Sequence, residues 1–324
     1  MKNILVTGCA GFIGWKVSEM LLNMGKTVIG VDNINNYYDP RLKRWRLKCL
    51  MDKPNFSFHR MDISNYKGLR DLFSKNEVEA VINLAARAGV RASVEDPWAY
   101  LDTNTKGTLN LLECAREFDC KKFILASTSS IYASVKMPFK ESAVTDTPLA
   151  PYSATKKSAE VLCYAYHYLY KIDISIVRYF TVYGPAGRPD MSIFKFIRCI
   201  DEGKPITVFG DGNQTRDFTY IDDIADGTIR ALRPLGYEII NLGSDNPVKL
   251  NKVIRLIEES LGKKAKRKTL PMHPADITAT WADIERAKRL LGWRPKTNIE
   301  DGIKKTVEWF LKNREFLRRL KWDD

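Results

Sequence analysis

Short apolar runs alternate with amphipathic stretches over the first 180 residues of the chain. The runs at about 3–7, 27–31, 56–60, 79–84, 122–127 and 173–178 read as buried strands. Between them, a period near 3.6 predicts helices at about 12–24, 64–75, 97–118 and 151–170. Such alternation specifies a parallel sheet with helices on both faces. After about residue 184, Gly184-Pro185, Gly187, Pro189, Gly203, Pro205, Gly210 and Gly212 punctuate shorter elements. A helix at 221–232, a strand near 238–241 and amphipathic helices at roughly 249–261, 283–291 and 299–314 follow. The expected fold class is α/β: a doubly wound parallel sheet with a smaller mixed α/β C-terminal part. That second part is expected over the carboxyl ends of the strands, where open parallel sheets bind ligands.

Apolar residues make up 44% of the 324, enough for a sizeable core. No apolar run reaches the length of a membrane span. The apolar stretch at the N-terminus is short and flows into a glycine loop, which reads against a signal peptide. A cytoplasmic protein without a membrane partner is expected. The six cysteines show no C-x-x-C pair or zinc spacing, and the three histidines are isolated, so no metal site is expected. The net charge of +13 raises the possibility of nucleic-acid binding. The local densities at Arg41 to Lys48 and Lys263 to Lys268 carry no nucleic-acid fold signature. They read as solvated surface, with a few charges available to an anionic substrate, and no nucleic-acid partner is expected.

Two features carry chemistry. The first strand runs straight into Gly8-x-x-Gly11-x-x-Gly14 and an amphipathic helix beginning near Phe12. Glycine allows the tight turn and close approach of backbone to phosphate, and the helix N-terminus faces the pyrophosphate of a dinucleotide. Asp32 ends the second strand, where a carboxylate accepts bonds from ribose hydroxyls and repels a 2′-phosphate, favouring NAD over NADP. Asp62 ends the third strand, where contact with the adenine edge and turn capping compete as readings. The expected boundaries are therefore 1–183 for an NAD-binding Rossmann domain, completed by a returning segment near 218–243, and 184–324 mainly for substrate.

The second feature is Tyr152-x-x-x-Lys156. The same spacing occurs at Tyr132 and Lys136, but a loop leading to Pro138 follows there. Tyr152 follows Pro151 at the head of a long helix, so Tyr152 and Lys156 share a face. A phenol is a poor base at neutral pH, and lowering its pKa by three units takes roughly 4 kcal/mol. Lys156 and the positive charge of an oxidised nicotinamide are expected to supply this together. Thr128 or a neighbouring serine offers a hydroxyl to bridge the phenol and a substrate oxygen.

These residues together resemble the extended short-chain dehydrogenase/reductase superfamily, specifically its nucleotide-sugar epimerases and dehydratases. The similarity runs through Asn83-Leu84-Ala85-Ala86, Asn104, Ser127-Thr128-Ser129-Ser130, Arg178 to Pro185, Gly210-Asp211-Gly212 and Arg216-Asp217-Phe218. Within the superfamily the chain is similar to the UDP-glucuronate 4-epimerases. The markers are Asn35 to Asp39 followed by a basic helix, Ala88-Gly89-Val90-Arg91, and Gly187-Arg188-Pro189-Asp190-Met191. The resemblance implies bound NAD, a UDP-sugar substrate (UDP-glucuronate or UDP-galacturonate) and a homodimer formed by the helices at 97–118 and 151–170. It implies cofactor contacts from Gly8, Gly11, Phe12, Ile13, Gly14, Asp32, Asp62, Ile63, Leu84, Ala85, Ala86, Asn104, Ser127, Tyr152, Lys156 and Tyr179. It implies catalysis by Tyr152, Lys156 and Thr128. Substrate contacts are implied for Arg91, Thr128, Ser129, Ser130, Thr181, Arg188, Val208, Arg216 and Asp276, with Arg188 offering paired donors to a carboxylate.

Related dehydratases and decarboxylases carry carboxylates where this chain has Ser129-Ser130, which argues against those reactions. UDP-galactose and UDP-N-acetylhexosaminuronate 4-epimerases remain open as alternatives, as does a non-catalytic NAD-binding sensor. Ala133 stands where glycine is usual, and His273-Pro274-Ala275-Asp276 departs from the usual proline-glycine-aspartate run.

Overall fold

The computed structural model describes residues 3–132, 135–271 and 279–322. Asp276, Ala133 and the His273 to Ala275 departures lie outside the described residues. Among the described residues, seven parallel strands form one sheet. They are β1 (Asn3–Thr7), β2 (Thr27–Asp32), β3 (Phe56–Arg60), β4 (Val78–Asn83), β5 (Lys122–Thr128), β6 (Asp173–Tyr179) and, returning later in the chain, a strand at Tyr237–Leu242. Between β6 and that returning strand lie β7 (Thr181–Tyr183), β8 (Pro205–Phe209) and β9 (Thr215–Tyr220), so the returning strand is β10. The spatial order is β10-β6-β5-β4-β1-β2-β3. The order reverses between β1 and β4, and the carboxyl ends of these two strands open a crevice there.

The pleat sorts β1 between two cores. Ile4 and Val6 join one apolar cluster with Ile224 and Ala225 of the helix Ile221–Arg230. Leu5 joins another with Leu69, Leu111 and Ala159. Both faces are covered, which is why these strands read as continuous apolar runs. A third cluster joins the helices Ser192–Asp201, Leu250–Leu261 and Ile299–Lys312 to β8 and β9. Its small sheets are β9 with β7 and β11 (Pro247–Lys249), and β8 with β12 (Lys266–Leu270).

Three differences from the sequence expectation have physical causes. The basic helix expected after Asp39 spans Pro40–Met51, and the Asp39 side chain caps Arg41 N–H at 2.9 Å. The backbone N–H of Lys321 donates to the same carboxylate at 2.7 Å, tying the far end of the chain to this cap. In that helix Lys43 and Arg46 are buried, against the reading of its charges as solvated surface. The short strands β7, β9, β11 and β12 lack an apolar run long enough to stand out; β12 reads Lys-Arg-Lys-Thr-Leu.

The third difference is the helix expected at 97–118. It is broken into Pro97–Tyr100, a π-helical turn Leu101–Lys106 and Gly107–Glu117. The turn holds Asn104 inward, 1% exposed. Its side chain accepts from Arg87 N–H at 2.9 Å and donates to Arg87 O at 3.0 Å and to Thr155 Oγ1 at 3.1 Å. One widened turn thereby fastens the loop after β4 to the helix Pro151–Tyr170. Replacing Asn104 by Ala strands both backbone groups of Arg87. The expected loss is about 2–4 kcal/mol of unfolding free energy, read by urea denaturation.

Candidate active site

The glycine loop is a cradle that side chains would fill. Gly8 has φ +68° and its N–H donates to Val31 O at 2.7 Å. A Cβ there would lie 2.8–2.9 Å from the backbone of Leu84 and Ala85, and one on Gly14 would lie 2.0 Å from Gly8 O. The N–H of Gly11 closes the turn on Gly8 O at 2.8 Å. Gly11 is the N-cap of the helix Phe12–Asn23 and offers no side-chain acceptor to the first turn. Those N–H groups and the helix dipole suit an anionic group. Phe12 is buried and Ile13 half-buried at this entrance. Asp32 is buried, accepting from Ala10 N–H at 3.1 Å and Ile34 N–H at 2.8 Å. Its backbone bonds hold the carboxylate still at the mouth of the crevice. A bare cradle, a helix start and a fixed acidic group at the end of β2 fit a dinucleotide.

Several residues assigned to the cofactor are committed within the protein. Asp62 accepts from Ser64 N–H at 2.8 Å and from Asn33 Nδ2 at 2.6 Å, so turn capping is its evident work. Burial pushes its carboxyl up, but these bonds outweigh that and leave it below its ordinary range. Ile63 is buried, with its carbonyl taken by Asn110 Nδ2 at 2.9 Å. Leu84, Ala85 and Ala86 form the loop after β4; Ala85 N–H donates to Thr7 Oγ1 at 3.1 Å. Asn104 braces that loop, as described. The Ser127 hydroxyl donates to Glu160 Oε1 at 2.6 Å. The Tyr179 hydroxyl is paired with Thr228 Oγ1 at 2.8 Å across the core. Asp62, Asn104, Ser127 and Tyr179 thus each brace the walls of the crevice through an internal hydrogen bond.

Tyr152 and Lys156 sit in the first two turns of the helix Pro151–Tyr170, beside the end of β5. Burial pushes the Tyr152 phenol up; a hydrogen bond with Thr128 and the charge of Arg188 pull the other way. Lys156 is 4% exposed and donates to Ala126 O at 2.8 Å. Burial lowers its ammonium to about 8, against the opposing pull of Glu160. The lowering expected from Lys156 and the charge of an oxidised nicotinamide together belongs to the loaded site; burial outweighs the pull of Thr128 and Arg188 alone.

Thr128, Ser129 and Ser130 form a hydroxyl ledge at the end of β5. Thr128 Oγ1 donates to Ser130 Oγ and accepts from Ser130 N–H, both at 3.1 Å. Thr181 and Arg188 line one small cavity together with Phe12 and Gly184. Arg188 Nε donates to Asp190 Oδ1 at 3.0 Å, and its Nη2 also bonds Asp190. The guanidinium therefore already holds one carboxylate. Arg91 stacks on Phe209, 4.3 Å from the ring centroid, next to buried Val208 on β8. Arg216 lies on β9, two residues from Phe218, the register partner of Thr181.

Sequence reasoning missed the group behind this site. Glu160 and Arg178 are 2% and 1% exposed and bond through both carboxylate oxygens, at 2.9 and 2.7 Å. Arg178 Nη1 donates to Tyr132 Oη at 2.6 Å, and Tyr132 Oη to Asn241 Oδ1 at 2.9 Å. Glu160 stands four residues after Lys156 on the buried helix face. A carboxylate there, and an arginine inside an apolar strand, were the available signals.

The doubly wound sheet and its glycine cradle define an NAD-dependent Rossmann enzyme, and the comparisons with known proteins agree on that class. Residues 5–306 match the family described as GDP-mannose 4,6 dehydratase, and the chain belongs to that family of extended short-chain dehydrogenases/reductases. It is 60% identical to the UDP-glucuronate 4-epimerase of Thermodesulfobacterium geofontis over 322 residues, covering 99% of this chain and 100% of that protein. The UDP-glucuronic acid 4-epimerase of Bacillus cereus, solved with UDP-glucuronic acid and NAD, superposes with a TM-score of 0.90 at 39% identity, covering 96% and 99% of the two chains. The UDP-glucose 4-epimerase of Thermotoga maritima, solved with UDP-glucose, gives 0.88 at 32% identity, also covering 96% and 99%.

Two outcomes test the electrostatics. Glu160→Gln is expected to lower stability by about 3–5 kcal/mol in denaturant titration, because it leaves Arg178 buried and unpaired. Lys156 has a folded pKa below its unfolded value, so its burial penalty is full below pH 8 and relieved as pH rises to the unfolded value. The stability of the wild type relative to Lys156→Met should therefore rise from pH 8 to 10.5, by on the order of 3 kcal/mol.

Proposed function

We propose that the protein is a UDP-glucuronate 4-epimerase, interconverting UDP-glucuronate and UDP-galacturonate through a transient 4-keto sugar. The observation that carries this reading is a phenol, Tyr152, hydrogen-bonded to Thr128 and within the field of Arg188. It joins an acid–base group for an alcohol to a cation for a carboxylate. NAD, when bound in the glycine cradle and beside Asp32, supplies the acceptor and donor of the C4 hydride and a positive charge near the phenol.

The chain's own residues do the rest. Tyr152 removes the proton from the sugar 4-hydroxyl and returns it from the same position after the ketone has turned over. Thr128 orients the phenol and the sugar oxygen. Lys156 adds positive potential beneath the phenol and offers its ammonium to the nicotinamide ribose. Arg216 and Arg91 serve the diphosphate and the uridine side of the cleft with Val208, and Asp276 is assigned to the nucleoside. Ser129, Ser130, Thr181 and Arg188 hold the C5 carboxylate so that its bond to C5 stays out of line with the ketone. That restraint matters because a β-keto acid loses carbon dioxide readily.

Asp190 on Arg188 favours a second reading, an epimerase of neutral UDP-hexoses, in which the guanidinium stays paired internally. Proton NMR of the purified protein with UDP-glucuronate, and separately with UDP-glucose, decides between them. Formation of UDP-galacturonate is expected, with Tyr152→Phe slowing turnover by about 10³-fold or more. Turnover of UDP-glucose alone would overturn the uronate reading.

A homodimer belongs to the same proposal. The helices Pro97–Tyr100 and Pro151–Tyr170 expose Trp98, Val161, Tyr164, Tyr168 and Leu169, each more than half accessible. An apolar face of this extent suits an isologous four-helix contact. Val161→Asp with Tyr168→Asp should shift the sedimentation coefficient from dimer to monomer. A wild type that already sediments as a monomer would refute the assembly.

A further inference from the structure

The three stretches that mark the likeness to the UDP-glucuronate 4-epimerases, 35–39, 88–91 and 187–191, meet around one pair of tyrosines. A Cβ on Gly89, whose φ is +120°, would lie 2.6 Å from the Tyr37 hydroxyl, so the phenol fills the space a side chain would need. Arg188 stacks on the Tyr37 ring at 5.6 Å, and Arg87 stacks on it at 5.6 Å. Tyr37 also hydrogen-bonds Tyr100, whose ring meets Tyr152 edge-on at 6.1 Å.

Tyr38 turns inward. Its hydroxyl accepts from Arg46 Nη1 at 2.6 Å. Arg46 is fully buried and donates to Ala186 O at 2.8 Å, Gly187 O at 3.1 Å and Ala10 O at 3.2 Å. Among the described residues, every hydrogen bond of this guanidinium goes to a neutral oxygen. Burying a cation on neutral oxygens alone is costly unless the fork geometry is needed. Here the fork spans two loops at once, the glycine loop at Ala10 and the segment that leads into Arg188. The backbone before Arg188 is thus held by Arg46, and its side chain by Tyr37 and Asp190.

We propose that Tyr37, Tyr38 and Arg46 are positioning residues that aim Arg188 at the substrate carboxylate, and so decide whether the 4-keto sugar is reduced or loses carbon dioxide. The inference rests on the UDP-glucuronate reading. With Arg188 misaimed, the carboxylate rotates until the C5–C6 bond lines up with the ketone. That bond breaks, carbon dioxide leaves, the electron pair forms the C4–C5 enolate, and C5 takes a proton from water. Return of the hydride to C4 and of the Tyr152 proton to the C4 oxygen would then yield a UDP-pentose.

The test compares wild type, Arg46→Lys and Tyr37→Leu. Proton NMR with UDP-glucuronate gives the ratio of UDP-pentose to UDP-galacturonate. Hydrogen exchange on the proteins without substrate gives the protection of residues 184–191. Both variants should raise the pentose ratio and speed exchange in 184–191, each about tenfold, with β4 and β5 unchanged. If the wild type makes UDP-galacturonate and the variants keep both its ratio and its exchange, the inference is overturned. If the wild type makes no UDP-galacturonate, the epimerase reading fails by itself, and unchanged exchange in 184–191 overturns the positioning role separately. Tyr37 is only half-buried, so Tyr37→Leu carries the test should Arg46→Lys fail to fold.

Discussion

The paired carboxylate of Glu160 and guanidinium of Arg178 is the constraint on which the site rests. It links the Tyr152 helix to β6, receives Ser127 from the end of β5, and reaches through Tyr132 to Asn241 on β10. Three strand ends and one helix are therefore held at fixed spacing by one desolvated ion pair. Such a pair contributes little net stability compared with an apolar replacement, but leaving either half alone is costly. Its value here is geometric. Lys156 is one helical turn from Glu160, so the ammonium occupies a depth set by the pair, where burial lowers its affinity for a proton.

The same logic recurs in the loops. Thr7, Asn83 and Thr108 form a chain of hydrogen bonds from β1 through β4 to the helix after the π turn. Asn104 continues it to the Tyr152 helix. The crevice between β1 and β4 is therefore walled by side chains whose polar atoms are satisfied by the protein. Rigidity of this kind allows a catalytic hydroxyl and a phosphate cradle on different strands to keep their separation.

The central sheet was legible because both its faces are buried, so β1, β4, β5 and β6 appear as unbroken apolar runs. Gly8, Gly14 and the Tyr152–Lys156 pair were legible because steric need and helical spacing leave few alternatives. The π turn was not, since its cause is a contact between residues 87 and 104 that no local pattern reveals. Arg46 was hidden for the opposite reason: in a helix as basic as Pro40–Met51, a buried arginine looks like its solvated neighbours. Nor could the pattern show that the Ser127 hydroxyl bonds Glu160 and the Tyr179 hydroxyl pairs with Thr228. Both stand at strand ends, where one residue of pleat separates a wall from a brace.

The cap on the helix that carries Lys43 and Arg46 has a temporal meaning. Asp39 receives the backbone of Lys321, a partner 282 positions later. Strands β1 to β6 meet one another within the first 180 residues of synthesis, but this cap gains its last backbone donor only once residue 321 has emerged. The nascent protein can thus assemble its sheet long before its ligand site is complete. A truncated translation product would carry the loops at 35–39, 88–91 and 187–191 with the cap of this helix one backbone donor short.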